Sequence, residues 1–189
     1  ADFRDPWTNI DFYDQLKLSP FADKKHRRLE RKVLTKANSV SVISPGMAED
    51  FDSIFHRKYE VVTNGFDEED FNTGTIEIDR KFSIAHIGTM VNPRNPENLW
   101  KAISELVTEN EAFKNDLELK LVGKIDIEVL KTLSAFGLEE YIKRRDYLPH
   151  EKVIVEQKKS AVLLLIINNT PNAKLILTGK FFEYLSSER

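Results

Sequence analysis

Ala161-Val-Leu-Leu-Leu-Ile-Ile167 runs into a polar stretch, Asn168 to Thr178, and then into Gly179-Lys-Phe-Phe-Glu-Tyr-Leu185. Seven apolar residues without alternation read as a strand covered on both faces, the habit of parallel sheets packed between helices. Thr178 is placed to cap a short helix by accepting from backbone N–H groups of its first turn. On a wheel of about 100° per residue, Phe181, Phe182, Tyr184 and Leu185 cluster together, while Lys180 and Glu183 share the other side. A cation, a carboxylate and free N–H groups would then meet beyond the carboxyl end of a buried strand, where open α/β sheets bind ligands. The same spacing also suits an ordinary solvated helix face.

Working outward, the pattern upstream repeats. Phe82 to Ile87 reads as a strand ending at Gly88, and Asn95 with Pro96 opens a helix whose predicted buried face is Leu99, Ala102, Ile103 and Leu106. Leu117 to Val122 is a second strand ending at Gly123-Lys124, and the helix from Asp126 stops at Gly137. A strand from Ile142 to Leu148, a helix from His150 to Lys159 and the Ala161 strand, taken as central, complete the series. Strands alternating with helices imply an α/β fold with a Rossmann-like parallel sheet.

Nearer the start, Leu29, Val33 and Ala37 recur every fourth residue within a basic helix spanning about 21–37. Its cations read as a solvated face, with anionic lipid headgroups as the alternative and nucleic acid disfavoured because no aromatic residues interleave them. Strands are expected at Ser39 to Ile43 and Tyr59 to Thr63, with a helix from Pro45 to about Phe55 between them. Asn64-Gly65 makes a turn. Residues 72–80 are polar and aperiodic, so they read as a linker between a first domain, 1–71, and a second, 81–189.

The 189 residues allow one or two domains, and a net charge of −3 gives no bulk pull toward nucleic acid. Cysteine is absent, which excludes disulfides and thiolate metal sites and fits a reducing, cytoplasmic compartment. No apolar run approaches the roughly 18–20 residues that span a bilayer. The chain starts at Ala1 and reaches only Arg189, just past an apolar helix, and reads as a piece of a longer polypeptide with both domains incomplete.

In a parallel sheet, the loops after each strand gather on one edge. That edge would collect Gly88 to Arg94, Gly123-Lys124, Pro149-His150 and Asn168 to Glu183. Arg94, Lys124 and Lys180 would converge there beside a helix start, a combination suited to phosphate or diphosphate. His86, inside a strand, reads as a packed histidine. The four histidines are scattered and offer no metal site, and neither a P-loop nor Gly-x-Gly-x-x-Gly occurs.

Asn64-Gly-Phe-Asp67 with Phe71, the Gly88 loop with Arg94, Leu121-Val-Gly123 and above all Thr178-Gly-Lys-Phe-Phe-Glu-Tyr-Leu185 resemble the retaining GT-B glycosyltransferases of family 4. Asp2-Phe-Arg-Asp-Pro-Trp7 resembles a segment of the first domain in a bacterial branch of that family. The resemblance implies a GT-B fold in which 1–71 is the latter part of an acceptor-side domain and 81–189 binds a nucleotide-diphosphate sugar. It implies transfer of that sugar, with retained anomeric configuration, to an acceptor that the sequence does not identify, a glycan or a lipid-linked glycan, with no metal or other cofactor required. For the donor the resemblance points to Thr89 and Arg94 at the diphosphate and Glu183 on the ribose; with Gly88, Gly179 and the sheet-edge cations Lys124 and Lys180, either of which could replace the arginine missing at Thr89, these are the candidate donor-binding residues, and no catalytic residue is assigned. The sequence departs from the family pattern twice, with Thr89 where an arginine is expected and Leu175 where the first glutamate of Glu-x7-Glu would fall. A nucleotide-sugar epimerase and a non-catalytic nucleotide-binding module remain the competing readings.

Overall fold

The computed structural model describes residues 1–72 and 74–189, so the linker expected over 72–80 falls at Thr73 outside the described residues. The chain divides into two units, one of residues 1–65 and 167–179, the other of residues 66–166 and 180–189. Both are built on parallel sheets.

The first unit holds β1 (Asp2–Phe3), α1 (Pro20–Lys36), β2 (Ser41–Val42), α2 (Pro45–Ile54) and β3 (Glu60–Val61), with the sheet in the order β1-β2-β3. The strands are shorter than the sequence suggests. Helix starts follow their caps: Ser19 accepts from Ala22 N, and Ser44 from Met47 N, each followed by proline in the first turn. Leu34, Val42, Ile43, Met47 and Phe51 form the core between helices and sheet. Residues 167–179 complete this unit. Ser44 Oγ donates to the Leu175 carbonyl at 3.1 Å, Asn64 Nδ2 donates to the Leu177 carbonyl at 3.0 Å, and Asn168 donates to Asp11.

The second unit contains β4 (Phe82–Ile87), α3 (Glu97–Glu109), α4 (Glu111–Asp116), β5 (Leu117–Val122), α5 (Ile127–Ala135), β6 (Ile142–Arg145), α6 (His150–Lys159), β7 (Val162–Leu163) and α7 (Gly179–Ser186). Its sheet order is β6-β5-β4-β7, all parallel. Alternation along β5 sends Leu117, Leu119 and Leu121 into a core with Trp100, Ile103, Val129 and Leu133. The opposite face carries Lys120, whose ammonium bonds Asp79 and, at 3.3 Å, Glu156; Arg145 reaches the other oxygen of Glu156 at 2.8 Å.

Several expectations are corrected. The Ala161–Ile167 run is not a central, doubly covered strand: only Val162–Leu163 pairs, with β4 on one side, and Val162 is 39% exposed. Apolar content alone does not count a strand's neighbours. On α3 the buried residues are Trp100 and Ile103, and Leu106 is exposed. Asn95 does not cap α3. Its side chain accepts from Trp100 Nε1 at 2.8 Å and donates to Thr132 Oγ1 at 2.9 Å, tying α3 to α5. Thr178 does not cap α7 either, since its hydroxyl is buried without a hydrogen-bond partner.

Candidate functional site

The carboxyl edge of β4 and β5 is shaped by two glycines. Gly88 has φ +133° and Gly123 φ +107°, conformations that side-chain-bearing residues rarely adopt. They let two loops lie against each other. Gly88 N donates to Val122 O at 2.7 Å, Gly123 N to Arg145 O at 2.9 Å, Met90 N to Lys124 O at 3.0 Å, and Asp126 N to Met90 O at 2.9 Å. The parallel sheet is thereby extended one step beyond its strands, through the Met90 and Ile125 bridge.

Lys180 lies on this edge, its ammonium directly over Gly88. A Cβ added at Gly88 would stand 1.9 Å from Lys180 Nζ, so the glycine supplies the space the cation occupies. Burial pushes the Lys180 ammonium below the ordinary lysine range; Glu183 opposes that shift and Arg94 adds to it. Arg94, at the end of a 3-10 turn over Asn92–Arg94, is therefore close enough to repel the lysine. Glu183, one turn along α7, offsets part of that repulsion. Gln157, buried on α6, donates from Nε2 to Glu183 at 3.2 Å and so orients the carboxylate.

Beneath the loop sits His86, 2% exposed. Its Nδ1–H donates to the Leu164 carbonyl at 3.1 Å, which fixes the tautomer and leaves Nε2 buried without a hydrogen bond. Burial holds its pKa below the usual histidine range; the Leu164 and Thr89 backbones oppose this, and the charges of Lys180 and Arg94 reinforce it. The Thr89 carbonyl favours the protonated ring without reaching hydrogen-bonding geometry. Tyr184, buried on α7, has its phenol pushed up to about 12 by burial, and the amide of Ile87 points at its hydroxyl from 3.4 Å.

Of the residues singled out from sequence, the structure gathers Gly88, Arg94, Lys180 and Glu183 on one edge. Thr89 is in the same loop and exposed. Lys124 joins through its carbonyl while its side chain is exposed. Gly179 is the first residue of α7, where N–H groups have no intrahelical acceptor. The apolar face expected on α7 is narrower than its composition suggests, since Tyr184 is buried while Phe181 and Leu185 are exposed. Leu175 is 2% exposed and packs beside Gly46, which makes it a core residue of the first unit. The Nε2–H of His150 donates to the Asp70 carboxylate at 3.0 Å. Gln157 and the orphan nitrogen of His86 escaped the sequence reading; a signal for Gln157 was its place three residues after the buried Ile154, on the inward face of α6.

The first unit has its own concavity, of about 720 Å³, lined among others by Asp11, Tyr13, Asp14, Asp50, Thr170 and Asn172. Its carboxylates and amides are acceptors and donors suited to hydroxyl groups. Among the described residues no cluster of histidine or carboxylate side chains could hold a metal ion, and no helix is long and apolar enough to cross a membrane.

No known family profile matches the chain, and no curated protein matches it by sequence. Solved structures do match. A mutant of S. aureus TarM, in complex with fondaparinux, alpha-GlcNAc-glycerol and UDP, superposes with a TM-score of 0.63 at 15% identity, over 87% of this chain and 31% of that one. WaaG, a glycosyltransferase involved in lipopolysaccharide biosynthesis, gives 0.64 at 11% identity over 92% and 49%. Anabaena Alr3699/HepE in complex with UDP gives 0.56 at 15% identity over 77% and 43%. The chain thus spans between 31% and 49% of the length of these three proteins. At such identities the likeness speaks for architecture, and the architecture is the GT-B type of α/β fold, with Rossmann-like parallel sheets.

Proposed function

We propose that this chain is part of a glycosyltransferase that transfers a sugar from a nucleotide-diphosphate donor to a glycan or lipid-linked acceptor. The observation that carries the reading is the Lys180 ammonium seated on Gly88, with Arg94 and Glu183 beside it, at the carboxyl edge of a parallel sheet. The second unit supplies the donor side and the first unit, with residues 167–179, the acceptor side. Arg94, Lys124 and Lys180 meet the diphosphate, the amides of Gly88, Thr89 and Gly179 approach its oxygens, and Glu183 accepts from the ribose hydroxyls.

In chemical terms, the cations and the α7 N-terminus stabilise negative charge that grows on the diphosphate as the sugar departs. Partial burial makes Lys180 more effective there than a solvated lysine, because the field of a charge is stronger where water is excluded. The sugar is transferred with retention, and the first unit's concavity offers the acceptor its hydroxyl partners. The setting is cytoplasmic, in bacterial cell-surface polysaccharide or glycan synthesis, with contact to the inner membrane at its periphery.

Titration of the chain with uridine, guanosine and adenosine diphosphates tests the reading. One of them is expected to bind, and Glu183→Ala to weaken it by tenfold or more, a hydrogen bond to a charged group being worth about 1.5–3 kcal/mol. Absence of binding by all three, or an unchanged affinity in Glu183→Ala, would overturn it. One observation favours a second reading: Leu175 is a buried core residue at the position where the family carries a glutamate, which fits a nucleotide-binding module without turnover. Sugar transfer by the whole polypeptide would eliminate that module, and release of a free epimerised sugar would favour the epimerase.

A further inference from the structure

α1 is the most cationic element of a chain whose net charge is −3. Its only two acids are both turned to internal use. Glu30, 1% exposed, accepts from the Thr8 amide at 2.9 Å and from the Thr8 hydroxyl. Asp23 accepts from the Tyr13 hydroxyl at 3.1 Å and from Arg27 Nε at 3.1 Å. Arg31 is also engaged, donating to the Ile54 carbonyl with its guanidinium 5.9 Å from the Phe55 ring centroid.

What remains outward is a single-sign stripe. Lys24, Lys25, Arg28, Lys32 and Lys36 are exposed, and among the described residues none of them forms an ion pair. At about 100° per residue, Lys25, Arg28 and Lys32 lie within roughly 40° of Phe21, on the side opposite Glu30. Phe21, in the first turn, is 80% exposed, a position that costs free energy in water and needs a reason. The segment just before the helix adds exposed Phe12 and Leu16.

We propose that this face of α1 docks on an anionic lipid bilayer, with Phe21 entering the headgroup region and Lys24, Lys25, Arg28 and Lys32 meeting lipid phosphates. The apolar side of α1 is buried in the unit's own core at Leu34, so the attraction comes from the row of cations, at about 1 kcal/mol per Lys or Arg near an anionic surface, with the exposed Phe21 ring as an apolar anchor at one end. Nucleic acid fits less well, because bases stack on aromatic residues interleaved with the cations, and here the helix offers one ring at its start. The acidic remainder of the molecule is repelled by the same bilayer, so the field also selects which face approaches. This surface lies in the first unit and does not rest on the nucleotide reading of the second.

The experiment is vesicle sedimentation of the chain without nucleotide, using phosphatidylcholine alone and phosphatidylcholine mixed with phosphatidylglycerol. Binding is expected only with the anionic vesicles and is expected to vanish at high salt. Replacing Lys24, Lys25 and Arg28 together by glutamine should weaken it by about a hundredfold, at roughly fivefold per cation. Phe21→Ser should weaken it by about tenfold while leaving the salt dependence intact. All four side chains are exposed, so both variants should keep the wild-type circular dichroism and melting temperature. Equal pelleting with neutral and anionic vesicles, wild-type binding by the triple variant, displacement by millimolar inorganic phosphate, or tighter binding to duplex DNA than to vesicles would each overturn the proposal.

Discussion

Replacing either edge glycine by alanine tests the construction of the candidate site, and the two replacements should fail in different ways. At Gly88 the added Cβ would meet the end of the Lys180 side chain, 1.9 Å from Nζ and 2.9 Å from Cε. A lysine tip can swing away, so the fold loses only the backbone strain of alanine at φ +133°, about 1–3 kcal/mol. At roughly 2–4 °C per kcal/mol for a chain of this size, the melting temperature should fall by some 2–12 °C. The displaced ammonium should lower the affinity for whichever nucleoside diphosphate the proposed site takes by about tenfold, equivalent to about 1.4 kcal/mol.

At Gly123 the obstacle is main chain: the new Cβ would lie 2.7 Å from the Gly88 carbonyl oxygen and 3.1 Å from its carbon. Gly88 is tied through its amide to Val122 O at 2.7 Å, so its carbonyl cannot retreat far without loosening the end of the β4–β5 ladder. Gly123→Ala should therefore cost more than Gly88→Ala, about 3 kcal/mol or beyond, through strain and overpacking together. Thermal unfolding followed by circular dichroism, with calorimetric titration of uridine, guanosine and adenosine diphosphates, separates the two effects. The reasoning fails if Gly88→Ala keeps both the wild-type melting temperature and affinity, or if Gly123→Ala is the milder of the two.

Other consequences can be checked by the same means. Lys120→Ala should cost about 1–3 kcal/mol, because Asp79 and Glu156 lose a buried charged donor while Asp79 keeps the Ser83 hydroxyl and Glu156 keeps Arg145; an unchanged unfolding midpoint in denaturant would refute the bridge. Thr178→Val should be neutral or slightly stabilising, since the hydroxyl is buried without a partner; a loss near the 1 kcal/mol of a missing cap would show that it caps α7 after all. The imidazole of His86 binds its proton less readily when folded than the 6.5 of a free histidine. The unfolded chain therefore takes up more protons as pH falls below 6.5, and stability should decline there. His86→Gln should flatten that decline, while exposed His56, raised by its hydrogen bond to Asp52, contributes with the opposite sign.

Where neighbouring residues alone determine a structure, the sequence was readable. β4 and β5 begin and end at the expected residues because each carries apolar residues at alternate positions, Phe82 and Ile84 in β4 and Leu117, Leu119 and Leu121 in β5, and is closed by a glycine at positive φ. The helix from His150 to Lys159 is likewise found at its expected bounds. The reading failed where a distant partner decides. β7 looked central because seven apolar residues cannot report that only β4 lies beside two of them. Asn95 looked like a cap, yet Trp100 and Thr132 compete for its amide. The i, i+3 spacing of Lys180 and Glu183 did bring their charges together, but the seat of Lys180 on Gly88 joins residues from opposite ends of the second unit. No local pattern encodes such a seat.

The return of residues 167–179 to the first unit bears on the order in which the chain acquires structure during synthesis. The bonds from Asn168 to Asp11, Asn172 to Asn9 and Ser44 to Leu175 close loops of 157, 163 and 131 residues. A ribosome delivers the strands of the second sheet before it delivers those partners, so the amino-terminal unit must wait for chain made after almost all of its neighbour. The part made first is completed last, and until then the Leu175 site beside Gly46 is an uncovered apolar surface of a kind that nascent chains expose to chaperones.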